Sequence, residues 1–289
     1  MKPEVTPFFD HATNTFSYVV TDITSKLCAV IDSVLNFDYA SGSVSYTSAD
    51  EVIQHIESHS LQVQWIIETH VHADHLSAAP YLQSQVGGKL AIGEHIDTVQ
   101  KTFGKIFNEG NDFRRDGSQF DHLFVDGELY EIGGLQCRAI HTPGHTPACM
   151  THLIGDAAFV GDTLFMPDGG TARADFPGGD ARQLYQSIQT VLDLPADTRL
   201  FMCHDYAPNG RPIAYQSTIR SQQKGNIHVN SQIDEETFVK MREERDHTLG
   251  MPDLILPSLQ VNMRAGHFPK PEDNMMIYLK IPINAFQAS

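Results

Sequence analysis

The most constraining feature of this sequence is a cluster of ligand-type side chains directly after the apolar pair Ile66-Ile67. His70, His72, Asp74 and His75 occupy four of six consecutive positions. Side chains alternate along a strand, so a strand ending here would project His70 and His72 to the same side. We expect a turn to follow, with Asp74 and His75 at the start of a helix. Because imidazole and carboxylate commonly bind zinc and iron, the spacing indicates a metal site rather than chance histidines in a polar turn.

Length and charge limit the class of protein. The chain has 289 residues, of which 41% are hydrophobic and 19% charged, and this is typical of a folded protein rather than a disordered one. The formal net charge of −16 argues against nucleic acid or an anionic membrane as the main partner. An anionic substrate would therefore need local positive charge at its binding site.

Cysteine usage and the N-terminus predict a cytoplasmic location. The four cysteines are scattered and form no CxxC pair, so they do not indicate a disulfide framework. The sequence Met1–Pro7 lacks the basic and then apolar pattern of a secretory signal. No apolar run is long enough to cross a bilayer.

In the first half of the chain, the residue pattern predicts strands and helices around the histidine cluster. Residues 95–121 are more polar, and the sequence allows either a helical insertion or a lid near the site. The predicted strands cover 15–20, 27–32, 63–69 and 89–93, and the predicted helices cover 48–59 and 76–86. Asp32 closes an apolar strand and is expected to be structural, as a turn acceptor, rather than catalytic.

In the second half, three predicted strands end close to a ligand-type residue: His145, Asp162 or His204. Strand ends that meet at one rim of a sheet would bring these residues together with the first cluster. Asp180 is a plausible N-cap for a helix through Leu192. Further strands are predicted over 128–132, 135–140, 150–154, 157–160 and 200–203, a helix over 234–248, and an extended segment over the proline-containing region 252–289.

Taken in order, these motifs resemble the metallo-β-lactamase superfamily. The resemblance covers residues 14–206 and includes the HxHxDH cluster, Thr142-Pro143-Gly144-His145-Thr146, Gly161-Asp162 and His204. It implies an α/β fold, an αβ/βα sandwich of two mixed β-sheets flanked by helices, formed as one domain over residues 1–289. In that superfamily, the counterparts of His70, His72 and His145 can hold one metal. Those of Asp74, His75 and His204 can hold a second, with the counterpart of Asp162 bridging the two.

Three further stretches are similar to one branch, the persulfide dioxygenases. Gly169–Phe176, with the sequence GGTARADF, resembles that branch's GxGRTDF segment, although Ala174 stands where threonine is usual. His204-Asp205-Tyr206 matches its HDY. Pro257–Gly266, with the sequence PSLQVNMRAG, is close to its P-x-NMR-x-G segment, with the proline displaced.

This resemblance implies a mononuclear iron site. The iron ligands would be His70, His145 and Asp162, two histidines and one carboxylate in the facial arrangement that leaves positions open on Fe(II). One Fe(II) per chain is expected. The resemblance implies that O2 oxidises glutathione persulfide, or a similar low-molecular-weight persulfide, to sulfite and free thiol. His72, Asp74, His75 and His204 would then orient water and ligands around the iron.

The same resemblance implies the substrate-binding residues Arg173, Asp175, Tyr206 and Arg264, with Tyr206 also expected to be catalytic. Arg173 and Arg264 could pair the carboxylates of glutathione, and Asp175 could pair its α-amine or support an arginine. These arginines would supply the positive charge that an anionic substrate requires.

Two other functions remain open from the sequence. A dinuclear thioester hydrolase of the glyoxalase II type is possible because all seven ligand positions are filled, and Zn(II), one or two per chain, suits the same residues. A non-enzymatic metal-binding protein is the third reading. The expected partners are a small-molecule persulfide and O2, without nucleic acid or membrane, and a homodimer is possible because dimers are the commonest oligomers.

Overall fold

The computed structural model describes residues 2–286, which form two six-stranded sheets, a small third sheet and flanking helices. The strands are β1 (Glu4–Asp10), β2 (Thr15–Thr21), β3 (Leu27–Ile31), β4 (Val34–Asp38), β5 (Ser43–Ser45), β6 (Gln62–Ile67), β7 (Leu76–Ser77), β8 (Lys89–Gly93), β9 (His122–Phe124), β10 (Leu129–Ile132), β11 (Leu135–His141), β12 (Met150–Ile154), β13 (Ala157–Phe159), β14 (Arg199–Phe201) and β15 (Gln216–Thr218). The helices are α1 (Thr47–Ser58), α2 (Ala79–Val86), α3 (Ile96–Ile106), α4 (Ala181–Leu192), α5 (Ile219–Gly225), α6 (Glu235–Asp246) and α7 (Ile255–Asn262), with a 3-10 turn over Pro208–Gly210.

Both large sheets are mixed. The first has the order β1-β2-β3-β6-β8-β9, with antiparallel pairing as far as β3 and parallel pairing from β3 to β9. The second has the order β10-β11-β12-β13-β14-β15 and is antiparallel except for the β13–β14 pair. The third sheet joins β5, β4 and β7. The predicted sandwich of two mixed sheets flanked by helices is confirmed.

The two sheets pack face to face because strand residues alternate between two apolar surroundings. On β2, Phe16, Tyr18 and Val20 point into the core between the sheets, whereas Val19 points into the layer that α1, α2, α3 and α7 cover. Helix α4 covers the outer face of the second sheet with Leu184 and its apolar neighbours. Asp180 accepts a hydrogen bond from the Gln183 amide, so the predicted N-cap of this helix is confirmed.

Two elements differ from the sequence prediction. Asp74 and His75 do not start a helix, because residues 68–75 form a loop, Leu76–Ser77 pairs with β4, and α2 begins only at Ala79. The C-terminal region is not extended throughout, since α7 forms within it. Pro257 is tolerated there because it lies in the first turn, where a backbone N–H has no partner inside the helix.

The uncertain segment 95–121 forms α3 and a loop that connect the parallel strands β8 and β9. Helix α3 is amphipathic and buries Ile96, Val99 and Phe103. The Gln100 side chain donates to the Met263 carbonyl at 2.9 Å, which ties this crossover to the residue after α7. The segment therefore packs as a helical connection against the C-terminal region.

Candidate metal centre

The metal-type side chains follow the ends of strands that meet at one edge of the sandwich. The loop 68–75 follows β6, whose neighbours β3 and β8 run parallel to it. Asp162 and His204 follow β13 and β14, which are also parallel to each other. A bridge between Thr15 and His204 joins the two sheets at this edge. This topology explains why residues more than 130 positions apart in the chain converge.

The predicted iron ligands lie together. His70, His145 and Asp162 are buried and form one group whose ligand atoms all lie within 4.8 Å of one another. The Asp162 Oδ2 atom lies 3.9 Å from His70 Nε2 and 3.6 Å from His145 Nε2. Burial, followed by the neighbouring imidazoles, lowers the pKa of His70 well below its usual range, which favours the neutral form that binds metals.

The other four predicted residues, His72, Asp74, His75 and His204, form a second group beside the first. His204 Nε2 lies 3.2 Å from Asp74 Oδ2 and 3.4 Å from Asp162 Oδ1. Asp162 therefore offers one carboxylate oxygen to each group. This is the placement required of a bridging ligand.

The ring nitrogens on the outer side of the cluster have hydrogen-bond partners. His145 Nδ1 lies 2.8 Å from the Arg173 carbonyl, which requires that this nitrogen carry the proton. His70 Nδ1 lies 3.0 Å from Thr69 Oγ1. These contacts fix the orientation of the rings and leave the Nε2 atoms facing the cluster, the arrangement typical of metal-binding histidines.

The inner atoms, by contrast, lack hydrogen-bond partners among residues 2–286. An unpaired polar atom in a dry interior is costly, and a metal ion is the partner that satisfies both imidazole nitrogen and carboxylate oxygen. The residues present therefore fit a bound metal. The unpartnered atoms are His70 Nε2, His72 Nδ1, Asp74 Oδ2, His75 Nε2, Asp162 Oδ1 and His204 Nε2.

Asp32 and Glu68 hold His72 in place, a role that the sequence reasoning missed. His72 Nε2 lies 3.0 Å from an Asp32 oxygen and 3.2 Å from a Glu68 oxygen, so its Nδ1 atom faces the cluster. Asp32 also accepts the Thr69 amide at 2.7 Å. Although burial alone would raise it, the pKa of Asp32 is lowered, because His72 and these donors favour the carboxylate. The sequence did contain a signal for this role, because Asp32 and Glu68 each follow one of two neighbouring parallel strands.

Asn262 clamps the same loop from the C-terminal side. Its side-chain nitrogen donates to the carbonyls of His72 at 2.9 Å and His75 at 2.8 Å, and its side-chain oxygen accepts the Ser77 amide. The segment Asn262-Met263-Arg264, which resembles a segment of the persulfide dioxygenases, thus contacts the metal loop through Asn262. Sequence reasoning marked the segment without finding this contact.

Two glycines allow the close backbone approaches that the site needs. A side chain at Gly144, just before His145, would lie 2.2 Å from the Leu184 amide nitrogen at the start of α4. Gly161, just before Asp162, has φ +50°, and its added carbon would lie 2.6 Å from Thr69 Oγ1. Both positions therefore require glycine.

An open cavity of about 450 Å³ lies over the cluster, a volume within the usual range of small-molecule sites. Asp74, His145 and Asp162 form part of its wall, and so do Arg173 and Tyr206. The turn between β1 and β2 and the segment that joins α6 to α7 close its sides. Residues 95–121 form no part of this wall.

The four predicted substrate-binding residues are only partly brought together. Tyr206 lines the cavity, is 58% exposed, and lies nearly parallel to the His204 ring, with 6.0 Å between centroids. Arg173 also lines it, but its guanidinium is paired with Asp175 at 2.6 and 2.8 Å. Asp175 is not part of the wall. It therefore supports Arg173, as one of the two predicted roles for this residue requires.

Arg264 is not at the cavity, which departs from the prediction that it binds the substrate. Its guanidinium is buried, lies 2.5 Å from a Glu109 oxygen and stacks over the Phe113 ring at 4.6 Å. It also donates to the Gln260 carbonyl. The sequence could not show this, because Glu109 and Phe113 belong to the segment whose position was undetermined.

A different arginine, Arg245, lines the cavity. It lies on α6, is exposed, and shows no ion pair among the residues that the structure describes. The nearby Arg242 is buried and paired with Asp246 at 2.6 Å. The cation with the most freedom to meet an anionic ligand at this cavity is therefore Arg245, which the sequence reasoning did not single out.

The fold and this cluster agree with the comparison against known families. The model of the metallo-beta-lactamase superfamily matches residues 12–204, about two thirds of the chain. The chain belongs to the metallo-β-lactamase superfamily. All seven ligand positions expected from the superfamily are filled and converge here.

Similar proteins have names of two kinds. A probable metallo-hydrolase of Burkholderia pseudomallei is 57% identical, with 96% of this chain and 98% of that protein covered. Glyoxylase B2 of Dictyostelium discoideum is 49% identical, with 98% and 97% covered. The human mitochondrial persulfide dioxygenase ETHE1 is 28% identical, with 89% and 87% covered.

The crystal structure of ETHE1 from Myxococcus xanthus is similar in fold, with a TM-score of 0.73 and 26% identity. The similarity covers 91% of this chain and all of that one. Together with the superfamily match, these relatives show a metal-binding protein of the metallo-hydrolase-like type. Within residues 2–286, no helix is long and apolar enough to cross a membrane, and all four cysteines are free and buried.

Proposed function

We propose that this protein is an iron-dependent persulfide dioxygenase. The observation that carries the proposal is the group of His70, His145 and Asp162, of which His145 and Asp162 line the open cavity. Two histidines and one carboxylate on one side of a metal are the ligand set of non-haem Fe(II) oxygenases, which leaves positions open for substrate and O2. One Fe(II) per chain is the proposed cofactor.

The similarity to ETHE1 supports this choice. The superfamily match ends at residue 204, whereas the similarity to the Myxococcus structure covers 91% of the chain and so extends beyond the common domain. The segments outside that domain include α6, which carries Arg245, and the Asn262 clamp on the metal loop.

The proposed overall reaction consumes one persulfide, one O2 and one water and gives one thiol, one sulfite and two protons. The outer sulfur is oxidised and O2 is reduced, so no further oxidant is needed. Bound Fe(II) would supply the one-electron chemistry that O2 requires. The protein's own part is to hold the three ligands, to orient His72 through Asp32 and Glu68, and to line the cavity in which the substrate is placed.

For the substrate we propose glutathione persulfide or another low-molecular-weight persulfide with a carboxylate. Arg245 can meet a carboxylate at the cavity wall, and Arg173, held by Asp175, presents a second cation there. Tyr206 lines the cavity beside His204 and is placed to contact the bound sulfur or its water. Arg245 thus places at this wall a cation that has no ion pair among the described residues, in a chain whose net charge is −16.

A dinuclear thioester hydrolase is the second candidate, and one observation favours it. His75, Asp74 and His204 also point unpartnered atoms at the cluster, as ligands of a second metal would. The relative named glyoxylase B2 is in keeping with this candidate.

A metal count with a matched variant separates the two candidates. The protein is purified anaerobically and loaded with iron, and metals per chain are measured for the wild type and His75→Gln. A dioxygenase with one iron keeps one metal in both proteins, whereas a dinuclear hydrolase falls from two to one. Oxygen uptake and sulfite release are followed with glutathione persulfide, and cleavage of S-lactoylglutathione serves as the hydrolase assay. Thioester cleavage without O2 uptake by the iron-loaded protein would overturn the proposal.

A further inference from the structure

A series of hydrogen bonds reaches the second group of the metal cluster from behind, starting at strand β2. Thr15, the first residue of β2, is fully buried and forms a backbone bridge with His204. Its Oγ1 atom lies 3.2 Å from His204 Nδ1 and 3.5 Å from His75 Nδ1. One hydroxyl therefore meets both rings at the nitrogen opposite Nε2, the atom that faces the cluster.

The far end of this series is the Asp10 carboxylate, which accepts hydrogen bonds on both oxygens. One oxygen accepts from the Thr13 amide at 2.9 Å and from the Thr13 hydroxyl at 2.8 Å. The other accepts from the Asn36 side-chain nitrogen at 3.0 Å and from the Ser48 hydroxyl at 3.1 Å. Donors from the β1–β2 turn, β4 and α1 thus hold this carboxylate in one place.

The direction of each hydrogen bond follows from the donors available. A hydroxyl has one hydrogen, and that of Thr13 goes to Asp10, so Thr15 is the donor in the 2.9 Å contact between the two threonine hydroxyls. The Thr15 oxygen is then left to accept from His204 Nδ1, which also lies 3.3 Å from the Asn14 carbonyl, a group that only accepts. The proton of the neutral His204 ring is therefore on Nδ1, and Nε2 keeps its lone pair toward the cluster.

We propose that Thr15 is a positioning residue of the reaction site. Its oxygen accepts from Nδ1 of His204 and, at the longer distance, from Nδ1 of His75, while its own hydrogen is anchored through Thr13 on Asp10. The hydroxyl thereby holds the Nε2 atoms of both rings toward the cluster as acceptors. The inference rests on the proposed function for its effect on turnover, but the placement of the rings can be measured without it.

The water that the proposed reaction consumes is the expected partner of this acceptor. His204 Nε2 lies 3.2 Å from an oxygen of Asp74 and 3.4 Å from one of Asp162, and both acids line the open cavity. A lone pair held there can accept a hydrogen bond from that water. Within the described part of the chain, Thr15 makes no hydrogen bond to the three proposed iron ligands. Its hydroxyl should therefore affect turnover and not the iron content.

Three variants of the full-length protein test this role. Thr15→Val removes the hydroxyl and nearly keeps the shape of the side chain, whereas Thr15→Ser keeps the hydroxyl. Thr151→Val is the matched control, because Thr151 is equally buried on β12 and its hydroxyl bonds to the Thr142 hydroxyl at 3.1 Å rather than to a histidine. All three are compared with the wild type.

The first measurement is nuclear magnetic resonance of the metal-free protein labelled with 15N-histidine. The Nδ1–H signal of His204 is assigned by its loss in His204→Gln. This signal should lie downfield, as a hydrogen-bonded proton does, in the wild type, in Thr15→Ser and in Thr151→Val. It should move upfield in Thr15→Val, where the more distant Asn14 carbonyl is the acceptor that remains.

The second measurement is turnover of the iron-loaded protein with glutathione persulfide. Thr15→Val should lower kcat for O2 uptake by about tenfold, the lower end of the loss expected when a group behind the ligands is removed. The KM for the persulfide and the iron content per chain should stay as in Thr151→Val. Thr15→Ser should recover most of the lost kcat.

The outcomes separate this inference from the proposed function. An unchanged His204 signal in Thr15→Val would overturn the inference, and so would a kcat equal to that of Thr151→Val or a loss of kcat that Thr15→Ser shares. If the wild type takes up no O2, the proposed function fails and the His204 signal alone decides the role of Thr15. If Thr15→Val falls from two metals per chain to one, the positioning role stands and the dinuclear hydrolase replaces the proposed function.

Discussion

The metal cluster and the surroundings of Arg264 are both buried and charged, and the sequence marks both as functional, but their polar atoms are paired differently. At the cluster, six nitrogen and oxygen atoms face inward without a hydrogen-bond partner among residues 2–286. Around Arg264, the guanidinium meets the Glu109 carboxylate, the Gln260 carbonyl and the Phe113 ring. Unsatisfied atoms need a ligand, whereas a satisfied ion pair needs none. The difference separates a binding site from a structural contact.

The largest expected effect comes from removing the carboxylate shared by both groups. Asp162→Ala should lose the bound metal and lower activity by more than the roughly 100-fold that losing a residue behind the ligands can cost, because it deletes a ligand and leaves the facing histidines without their anion. Mass spectrometry measures the metal content per chain, and initial rates measure the activity. Asp175→Ala, at an acid outside the cavity wall, is the control and should keep the metal. Full metal content in Asp162→Ala would show that the unpartnered atoms do not mark a metal site.

The second prediction tests the paired region. Arg264→Ala should lower the free energy of unfolding by about 3 kcal/mol, because it leaves the largely covered Glu109 carboxylate, 11% exposed, with only Lys280, 3.4 Å away. Metal content and the KM for the persulfide should change little. Denaturant unfolding of the metal-loaded protein measures the loss. The double variant Arg264→Met with Glu109→Gln should recover part of it, since no charge is then left unpaired. A raised KM with unchanged stability would instead restore Arg264 as a substrate ligand.

A third prediction tests whether one unpartnered nitrogen alone indicates a metal. His152 lies in the core between the sheets. Its Nδ1 atom is hydrogen-bonded to the Tyr130 hydroxyl at 3.0 Å, and its Nε2 atom has no partner in the described part of the chain. Burial lowers its pKa from 6.5 to about 4, so the ring is neutral in the folded protein. A lowered histidine pKa means that the unfolded chain binds the proton first as the pH falls. The folded protein therefore has its full free energy of unfolding, as far as His152 is concerned, above pH 6.5, and it loses part of that free energy between pH 6.5 and about pH 4.

The loss amounts to about 3 kcal/mol across that interval. His152→Phe removes the titration, so its free energy of unfolding should depend less steeply on pH between 6.5 and 4 than that of the wild type. The metal content of the variant at pH 7.5 should equal that of the wild type. An unchanged pH slope would mean that His152 is already protonated or is hydrated in the native state.

The structure brings the predicted ligands together at one site but the predicted substrate-binding residues only in part, and the reason is geometric. His70, His145, Asp162 and His204 each follow a strand, and strands of a sandwich bring their ends to a shared edge whatever the loops do. Arg264 and Asp175 depend on how loops pack, which local patterns do not encode. The partner of Arg264 was in the one segment that the sequence left open.

The two errors in the predicted helices have different causes. Asp74 and His75 precede a helix-like pattern, yet Asn262, nearly 190 residues away, holds the loop carbonyls out of a helix. Pro257 suggested extended chain, although a proline in a first helical turn costs little. The supporting role of Asp32 was missed because its partner His72 is 40 residues away. A long-range contact from a side chain to the backbone decided the first case, the position of the proline within its helix the second, and a long-range contact between side chains the third.

The smallest expected effect concerns Arg245, the opposite of Arg264 in being exposed at the cavity wall without an ion pair among the described residues. Arg245→Gln should raise the KM for glutathione persulfide by about two- to fivefold, as expected for one solvent-screened contact with a carboxylate. Stability and kcat should stay unchanged. Arg220→Gln, at a surface arginine paired with Asp197 away from this cavity, is the matched control. With a persulfide that carries no carboxylate, the two variants should have the same KM.

Because the contact is screened, the effect of Arg245→Gln on the KM for glutathione persulfide should also shrink as salt is added. A KM change that persisted with the uncharged substrate would mean that Arg245 shapes the cavity and does not bind charge, and the contrast with Arg264 would then rest on the metal cluster alone.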